Sequence, residues 1–260
     1  MQRRARLAVI GGSGLEKLFV EGEATLVGTP YGVSPDIYFS ELEGQSVAFL
    51  ARHGVDHAVP PHQINYRANI TALKNLGVER IIALNAVGSL KTQIRPSDLV
   101  LVHDFIDFTK SRSSTFFEGT PVVHVDMTEP YCPQLRKIVS ESAHNQGMHL
   151  FQQGVYVCTE GPRFESPAEI RLFQQVGADV VGMTGLPEVV LAREAEICYC
   201  SICIVTNFAA GMQNKLSSKE VSKTVVEVQS HLKQLLEEAL KKIPEARECA
   251  CGTSIKEAIP

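Results

Sequence analysis

The stretch Leu7-Ala8-Val9-Ile10-Gly11-Gly12-Ser13-Gly14 decides the fold, because an uninterrupted apolar run passes directly into a glycine-rich turn. Four consecutive apolar residues are typical of a strand buried on both faces, as in a parallel sheet. The backbone N–H groups of the turn and the Ser13 hydroxyl are suited to hold an anion. A plain tight turn stays an alternative, because the turn lacks the third glycine of a dinucleotide fingerprint and the Gly-Lys-Ser/Thr of a P-loop.

Similar apolar, β-branched runs recur along the chain, with helical patterns between them. The further runs cover residues 47–50, 80–85, 99–103, 155–159, 179–183 and 199–206. The helical patterns cover residues 66–76, 168–176, 187–197 and 217–243. This alternation predicts an α/β fold with a mixed, mainly parallel central β-sheet flanked by helices.

The last helical pattern is the most regular. Ser217 and Glu220 form the signature of a capping box, and Pro244 ends the pattern. Between them runs one apolar stripe, formed by Val221, Val225, Val228, Leu232, Leu235, Ala239 and Ile243. The sequence therefore predicts an amphipathic C-terminal helix that packs on the sheet.

Size and composition indicate one globular domain over residues 1–260, with a polar tail from about residue 245. The chain has 44% hydrophobic and 21% charged residues, and it contains no repeat or linker-like segment. A net charge of −4 without any basic run argues against a nucleic-acid partner. No apolar run approaches the roughly 20 residues of a membrane span, so we expect a cytoplasmic protein without a membrane partner.

The cysteines indicate a reduced protein with one ambiguous pair. Five of the seven lie in or beside apolar stretches, at positions 132, 158, 198, 200 and 203. Metal spacing within residues 198–203 is disfavoured, because alternate strand residues face opposite sides and no second cluster is near in sequence. Cys249-Ala250-Cys251 lies in the polar tail, where a disulfide, a stray metal ion and an inert pair all stay open.

Polar residues that suit an anion follow three of the predicted strands. Ser13 follows the first strand, Arg52 and His53 follow the second, and the small residues 85–89 end the third. Arg52 offers a planar guanidinium suited to phosphate, His53 adds a further donor, and residues 85–89 add backbone N–H groups. Because ligands bind at the carboxyl ends of such strands, we expect these groups to meet there. If Arg52 or His53 is considered alone, an ordinary position at the protein surface is the alternative.

A second polar set indicates a purine site. Glu165 can accept the N1–H of a 6-oxopurine, while the amide of Asn207 can donate to O6 or N7. Phe164 offers a face for stacking on a base, Met183 can lie against a sugar, and Thr184 can bond a phosphate or hydroxyl. The alternatives are a favourable helix-terminal charge for Glu165 and a core position for Met183.

Three polar residues precede the first predicted helix: His57, His62 and Asn65. For His62 and Asn65 a role in capping the helix or stiffening the loop is favoured over ligand binding. The role of His57 stays open at this point.

With these segments in view, the chain resembles the trimeric purine nucleoside phosphorylases, in the branch that contains methylthioadenosine and methylthioinosine phosphorylases. The resemblance covers nearly the whole chain. It rests on Gly11-Gly-Ser-Gly-Leu15, Ala51-Arg-His-Gly54, Ile64-Asn-Tyr-Arg-Ala-Asn-Ile70, Asn85-Ala-Val-Gly-Ser89, Glu160-Gly-Pro-Arg-Phe-Glu165, Gly182-Met-Thr-Gly-Leu-Pro-Glu188 and Val205-Thr-Asn207.

The resemblance implies a role for each matching residue. Phosphate would be bound by Ser13, Arg52, His53, the backbone of Ala86 and Thr184. The nucleoside would be bound by Met183 at the ribose, by Phe164, Glu165 and Asn207 at the base, and by His57 near the phosphate and sugar. Asn207, Glu165 and His53 are the predicted catalytic residues. His124 would reach into a neighbouring subunit's site, which implies a homotrimer or a dimer of trimers.

The resemblance also implies the chemistry. Phosphate is a co-substrate, and no metal or organic cofactor is expected. The tail of this chain also resembles the C-x-C ending of some prokaryotic members. In those members the ending is associated with a disulfide. The expected activity is that of a pentosyltransferase in purine salvage.

The base-reading pair predicts the substrate. Members specific for methylthioadenosine carry an aspartate at the position of Asn207 and a small residue at that of Glu165, so this chain has the 6-oxopurine combination. The small apolar segment 208–212 suits a 5′-methylthio group better than a hydroxyl. We expect S-methyl-5′-thioinosine as the leading substrate, followed by inosine and guanosine. Methylthioadenosine phosphorylase activity is the alternative.

Overall fold

The computed structural model describes residues 3–12, 24–42, 44–54 and 57–259. The predicted anion-binding residue Ser13 lies outside the described residues. The strands are β1 (Leu7–Gly11), β2 (Gly28–Thr29), β3 (Gly32–Val33), β4 (Ile37–Leu42), β5 (Gln45–Ala51), β6 (Arg80–Ser89), β7 (Leu99–Phe108), β8 (Leu150–Thr159), β9 (Val180–Gly182) and β10 (Cys198–Phe208). The helices are α1 (Tyr66–Asn75), α2 (Pro133–Asn145), α3 (Pro167–Gln175), α4 (Glu188–Glu194) and α5 (Ser218–Lys242).

Eight strands form one mixed sheet, in the order β10-β7-β8-β9-β6-β1-β5-β4. The pairs β1–β5, β1–β6, β6–β10, β7–β8 and β8–β9 are parallel, and the remaining pairs of this sheet are antiparallel. The predicted α/β architecture with a mainly parallel sheet is therefore confirmed. Strand β6 also pairs with β10. The strands β10, β7, β8, β9 and β6 therefore form a closed ring at one end of the sheet.

One edge of β6 is shared by two strands, and this division opens a gap in the sheet. Residues 80–83 pair with β1, whereas Gly88 and Ser89 pair with β9. Among the described residues, no strand pairs with the backbone between these two pairings on that edge. The gap lies at the carboxyl end of β1, where the sequence predicts the ligand site.

The helices form two layers that bury the two faces of the sheet. One core joins α1 and α4 to the sheet through residues such as Ile70, Leu73 and Val189. The other joins α2 and α5 to the opposite face through residues such as Val139, Leu232 and Leu236. Within the described ranges, no helix combines the length and the apolar character that crossing a membrane requires.

Local signals of the sequence account for most of the helix ends. Asn65 caps α1 by accepting from the Ala68 N–H, as favoured from the sequence. Ser217 caps α5 through the Glu220 N–H, but the Glu220 carboxylate accepts from Gln213 Nε2, so only half of the predicted capping box forms. Cys251, expected in an exposed tail, is buried, because the tail folds back onto the core that contains α2 and α5.

Candidate active site

A cavity of about 820 Å³ opens at the gap beside β6, at the carboxyl ends of five strands. Among the residues that line it are nine of those predicted from the sequence: Arg52, His53, His57, Ala86, Phe164, Glu165, Met183, Thr184 and Asn207. Segments far apart in sequence therefore converge as expected. His124 does not line this cavity; it is exposed, in the irregular segment between β7 and α2.

Arg52 lies at the floor of the cavity in a buried ion pair. Its Nε and Nη2 donate to the two carboxylate oxygens of Glu188, each at 2.7 Å, and both side chains are 0% exposed. Tyr199 donates its hydroxyl to the same carboxylate at 2.7 Å. Burial alone would lower the pKa of Arg52, but the Glu188 carboxylate outweighs burial, and the pKa is raised. Arg52 is therefore held as a cation.

This ion pair corrects one sequence-based interpretation. The bidentate face of the Arg52 guanidinium was expected to bind phosphate, but it binds Glu188. Nη1 donates to the Leu84 carbonyl at 2.9 Å, in the gap beside β6. Since a guanidinium has five N–H donors, two remain for a ligand. A phosphate contact of Arg52 therefore remains a prediction for its outer N–H groups only.

The backbone of β6 exposes a donor in the same gap. Arg80 N donates toward β1, to the carbonyl of Arg6, and the Leu84 carbonyl faces the gap. Backbone groups of a strand alternate sides, so every second residue faces the same edge. Ala86 N–H therefore points into the gap, where no strand of the described part of the chain pairs with it. This placement supports the predicted phosphate contact of the Ala86 backbone.

His53 is buried with a defined tautomer. Its Nδ1 lies 2.8 Å from the Val59 carbonyl, which only accepts, so Nδ1 carries the proton. Burial, followed by the stacked His57 ring at 3.9 Å, lowers the pKa of His53 to about 3. Nε2 is then an acceptor rather than the further donor predicted from the sequence. Its complement on an inorganic phosphate is a P–OH group.

Neutral, buried His53 predicts a loss of stability in mild acid. The unfolded chain takes up the proton near the ordinary pKa of 6.5, whereas the folded chain does so only near 3, so stability falls as pH falls between these values. We compare the free energy of unfolding of wild type with that of His53→Gln. The difference, wild type minus variant, is expected to be about 2 kcal/mol smaller at pH 5 than at pH 7. Urea unfolding of both proteins measures this; an equal difference at both pH values would contradict it.

Thr184 is oriented to donate. Its Oγ1 accepts a hydrogen bond of 2.8 Å from Asn85 Nδ2, and Asn85 Oδ1 in turn accepts from Ser201. The threonine hydroxyl proton is therefore available for a ligand. Tyr156 fixes the same turn, because its hydroxyl accepts from the N–H groups of Thr184 and Gly185. This is the geometry that an anion site requires.

The Asn207 amide is fixed by its neighbours. Nδ2 donates to the Phe208 carbonyl at 2.9 Å, and Oδ1 accepts from Thr206 Oγ1 at 2.8 Å. Since a carbonyl can only accept, the amide nitrogen must face Phe208. One N–H of the buried Asn207 remains for a ligand. The structure thus gives Asn207 a defined donor.

Glu165 supplies an acceptor to the same cavity. Its Oε1 accepts from Thr159 Oγ1 at 2.7 Å. Burial raises the pKa of Glu165 above the ordinary carboxyl value, and the Thr159 hydrogen bond partly offsets this. A hydrogen bond from the backbone N–H of Glu165 itself has the same effect, and the carboxylate lines the cavity. Desolvation makes an N–H donor from a ligand more favourable there.

Arg112 supports this side of the cavity and was not singled out from the sequence. Its guanidinium donates to the carbonyls of Thr159, Glu160, Met183 and Leu186, and its side chain is only 3% exposed. One side chain therefore connects the strand end before Glu165 to the loop that contains Met183 and Thr184. Most of its partners are backbone carbonyls, and sequence pattern carries no signal for these.

The loop that contains Glu165 lies directly over Met183. Gly161 has φ +65°, and a Cβ at this position would lie 2.7 Å from Met183 Sδ. Only glycine suits this conformation and spacing. Phe164, at 40% exposure, reaches the cavity from the same loop.

A further part of the cavity wall combines apolar and hydroxyl side chains. The segment 208–212, predicted to face a 5′ substituent, contributes only Ala209 to the lining. Leu216, just before α5, and Val221, in its first turn, complete this wall together with Ser218 and Ser222. These four residues were not predicted to line the site, because only the fold places the α5 terminus there.

Comparison with known proteins shows the family to which the chain belongs. Residues 6–241 match the model of the family described as "Phosphorylase superfamily". A probable 6-oxopurine nucleoside phosphorylase of Dictyoglomus turgidum is 50% identical, over 97% of each chain. A probable S-methyl-5′-thioinosine phosphorylase of Methanothermobacter thermautotrophicus is 50% identical, over 97% of this chain and 89% of its own.

Relatives with a different stated substrate are similar to nearly the same degree. An S-methyl-5′-thioadenosine phosphorylase of Pyrococcus horikoshii is 48% identical, over 96% of this chain and 98% of its own. The crystal structure of a methylthioadenosine phosphorylase of Schistosoma mansoni in complex with adenine has a TM-score of 0.92 at 32% identity, over 98% and 99% of the two chains. The chain is therefore an enzyme of the phosphorylase superfamily and belongs among its purine nucleoside and methylthioadenosine phosphorylases.

Proposed function

We propose that the enzyme cleaves 6-oxopurine nucleosides with inorganic phosphate, and that S-methyl-5′-thioinosine is the leading substrate. One observation carries the proposal: a buried acceptor, Glu165, and a fixed donor, Asn207, line the same cavity as the anion-suited groups of Thr184 and Ala86. The acceptor matches the N1–H of hypoxanthine, and the donor matches O6 or N7. Two relatives named for 6-oxopurine or thioinosine substrates support it.

The residues suggest how the reaction proceeds. A phosphate oxygen attacks C1′ while the C1′–N9 bond breaks, and the electron pair of that bond passes to the purine. The remaining Asn207 N–H stabilises the negative charge that develops on the purine, which then takes up a proton as free hypoxanthine. Thr184 and the Ala86 backbone hold the phosphate, whose charge stabilises the oxocarbenium-like ribose. The other product is 5-methylthioribose 1-phosphate.

The apolar wall favours the 5′-methylthio group. Leu216 and Val221 lie in the lining, and a methylthio group buries apolar surface where a hydroxyl would lose its hydrogen bonds to water. Inosine and guanosine are therefore expected to be weaker substrates. A homotrimer in which His124 completes a neighbouring cavity is part of the proposal, and the exposure of His124 outside its own cavity supports it.

The second candidate is methylthioadenosine phosphorylase, which the Pyrococcus horikoshii relative favours. Against it, adenine has an N1 lone pair that would face the Glu165 carboxylate. Each unmatched buried polar group costs about 1–3 kcal/mol.

Phosphate dependence tests the reaction type directly. We expect hypoxanthine release from S-methyl-5′-thioinosine only when phosphate is present, with inosine cleaved less efficiently. Release followed by absorbance, with and without phosphate, measures this. Equal rates without phosphate would indicate a hydrolase and would overturn the proposal.

A further inference from the structure

Four cysteine side chains converge on one point at the end of the sheet remote from the cavity. Cys132 precedes α2, Cys198 begins β10, and Cys249 and Cys251 belong to the C-terminal tail. Their four Sγ atoms all lie within 4.8 Å of one another. Cys132, Cys198 and Cys251 are buried, and Cys249 is half-buried. Three separate segments thus bring four sulfur ligands into one cluster.

We propose that Cys132, Cys198, Cys249 and Cys251 form a structural zinc site. Tetrahedral zinc with Zn–S bonds of about 2.3 Å holds its sulfurs roughly 3.8 Å apart. The cluster has this spacing: Cys198 and Cys249 Sγ lie 3.4 Å apart, and the most distant pair lies within 4.8 Å. Four converging protein ligands without an open position are typical of structural rather than catalytic zinc.

The surroundings suit the charge of such a site. Zinc displaces the four thiol protons, so Zn²⁺ with four thiolates has a net charge of −2. Buried Arg193 donates from Nη1 to Cys251 Sγ at 3.5 Å and from Nε to the Asp126 carbonyl at 3.2 Å. A fixed cation beside a ligand sulfur offsets part of the negative charge and orients the ligand.

The site would fasten the tail onto the rest of the fold. Beyond Cys251, Ser254 donates to the Arg193 carbonyl at 2.6 Å, and Ala258 accepts from the His124 N–H at 2.8 Å. The tail thus contacts the irregular segment that presents His124. Zinc would stabilise both segments at once.

The sequence-based argument against metal binding within residues 198–203 relied on spacing along the chain. Cys198, Cys200 and Cys203 were assessed together, but only Cys198 joins the cluster. Cys200 lies in the buried core with α2 and α5, and Cys203 faces the other core. The ligand set is assembled from distant segments, which spacing cannot reveal.

Zinc content and sulfur coordination test this proposal. The protein, purified with reductant and then supplied with zinc, is expected to retain about one zinc per chain after desalting, with four sulfurs at about 2.3 Å in zinc X-ray absorption. Cys198→Ser and Cys251→Ser are expected to lose that zinc. The control Cys200→Ala, two residues along β10, is expected to retain it. Chelation is expected to lower the melting temperature of wild type and not that of Cys251→Ser.

Three results would overturn the zinc site. The first is wild-type protein without retained zinc, and the second is retained zinc without a shell of sulfurs. The third concerns protein purified without reductant. Its mass is lower by two hydrogens per cysteine pair, which indicates disulfide bonds, and the protein still binds no zinc after mild reduction. Should either serine variant fail to fold, the absorption spectrum of wild type decides alone.

Discussion

Asn207→Asp is expected to shift the base preference from 6-oxopurines toward 6-aminopurines. In the native chain, Asn207 Nδ2 faces the Phe208 carbonyl at 2.9 Å. An aspartate there meets a carbonyl oxygen in a buried site, which raises its pKa and favours the protonated acid. The ratio of kcat/KM for methylthioinosine to that for methylthioadenosine is expected to fall by about 10- to 100-fold.

Thr206→Val provides the matched control. It removes the donor to Asn207 Oδ1 but leaves the amide in place. It is expected to lower kcat on both nucleosides by a similar factor and to preserve their ratio. An unchanged ratio in Asn207→Asp would remove Asn207 from base recognition.

Among single substitutions around the cavity, Glu188→Ala is expected to lower the free energy of unfolding of the protein the most. It leaves Arg52 as a buried cation without its carboxylate, which costs about 3–5 kcal/mol of the free energy of unfolding. Arg52→Ala is expected to have a similar effect, so loss of activity in that variant does not isolate phosphate binding. Urea unfolding measures both.

A double variant separates the cost of leaving a buried charge unpaired from the cost of losing side-chain contacts. Arg52→Met combined with Glu188→Leu is expected to be more stable than either single alanine variant, because it leaves no uncompensated charge. The exposed pair of Lys223 and Glu227, 3.7 Å apart, serves as the control. Glu227→Ala is expected to change stability by less than about 1 kcal/mol. If Glu188→Ala changed stability no more than that, the role given to the buried pair would be wrong.

The sequence predicts the sheet well where strands are continuous apolar runs. Strand β10 (Cys198–Phe208) is buried along nearly its whole length, so its pattern needs no knowledge of its neighbours. Strand β4 (Ile37–Leu42) was missed, because it alternates buried and partly exposed residues at the edge of the sheet. Helix α2 (Pro133–Asn145) was also missed, although its buried residues Leu135, Val139 and Ala143 follow helical spacing.

The sequence predicts many of the residues that line the cavity, but not the groups to which they are hydrogen-bonded. Glu165 and Thr184 follow strands and Asn207 lies at the end of β10, and the carboxyl ends of strands meet at one place in such a sheet. The pairing of Arg52 with Glu188 and the contacts of Arg112 with backbone carbonyls join segments that are far apart in sequence, and Arg52 also contacts the Leu84 carbonyl in the gap beside β6. That gap arises because β1 and β9 divide one edge of β6, a property of topology that local sequence does not encode.

The most direct test of the central claim compares the two bases on the same sugar. Initial rates with S-methyl-5′-thioinosine and S-methyl-5′-thioadenosine, at equal and saturating phosphate, give kcat/KM for each. We expect a higher value for the inosine compound, because Glu165 accepts its N1–H and Asn207 donates to its base. A higher value for the adenosine compound would contradict the 6-oxopurine assignment.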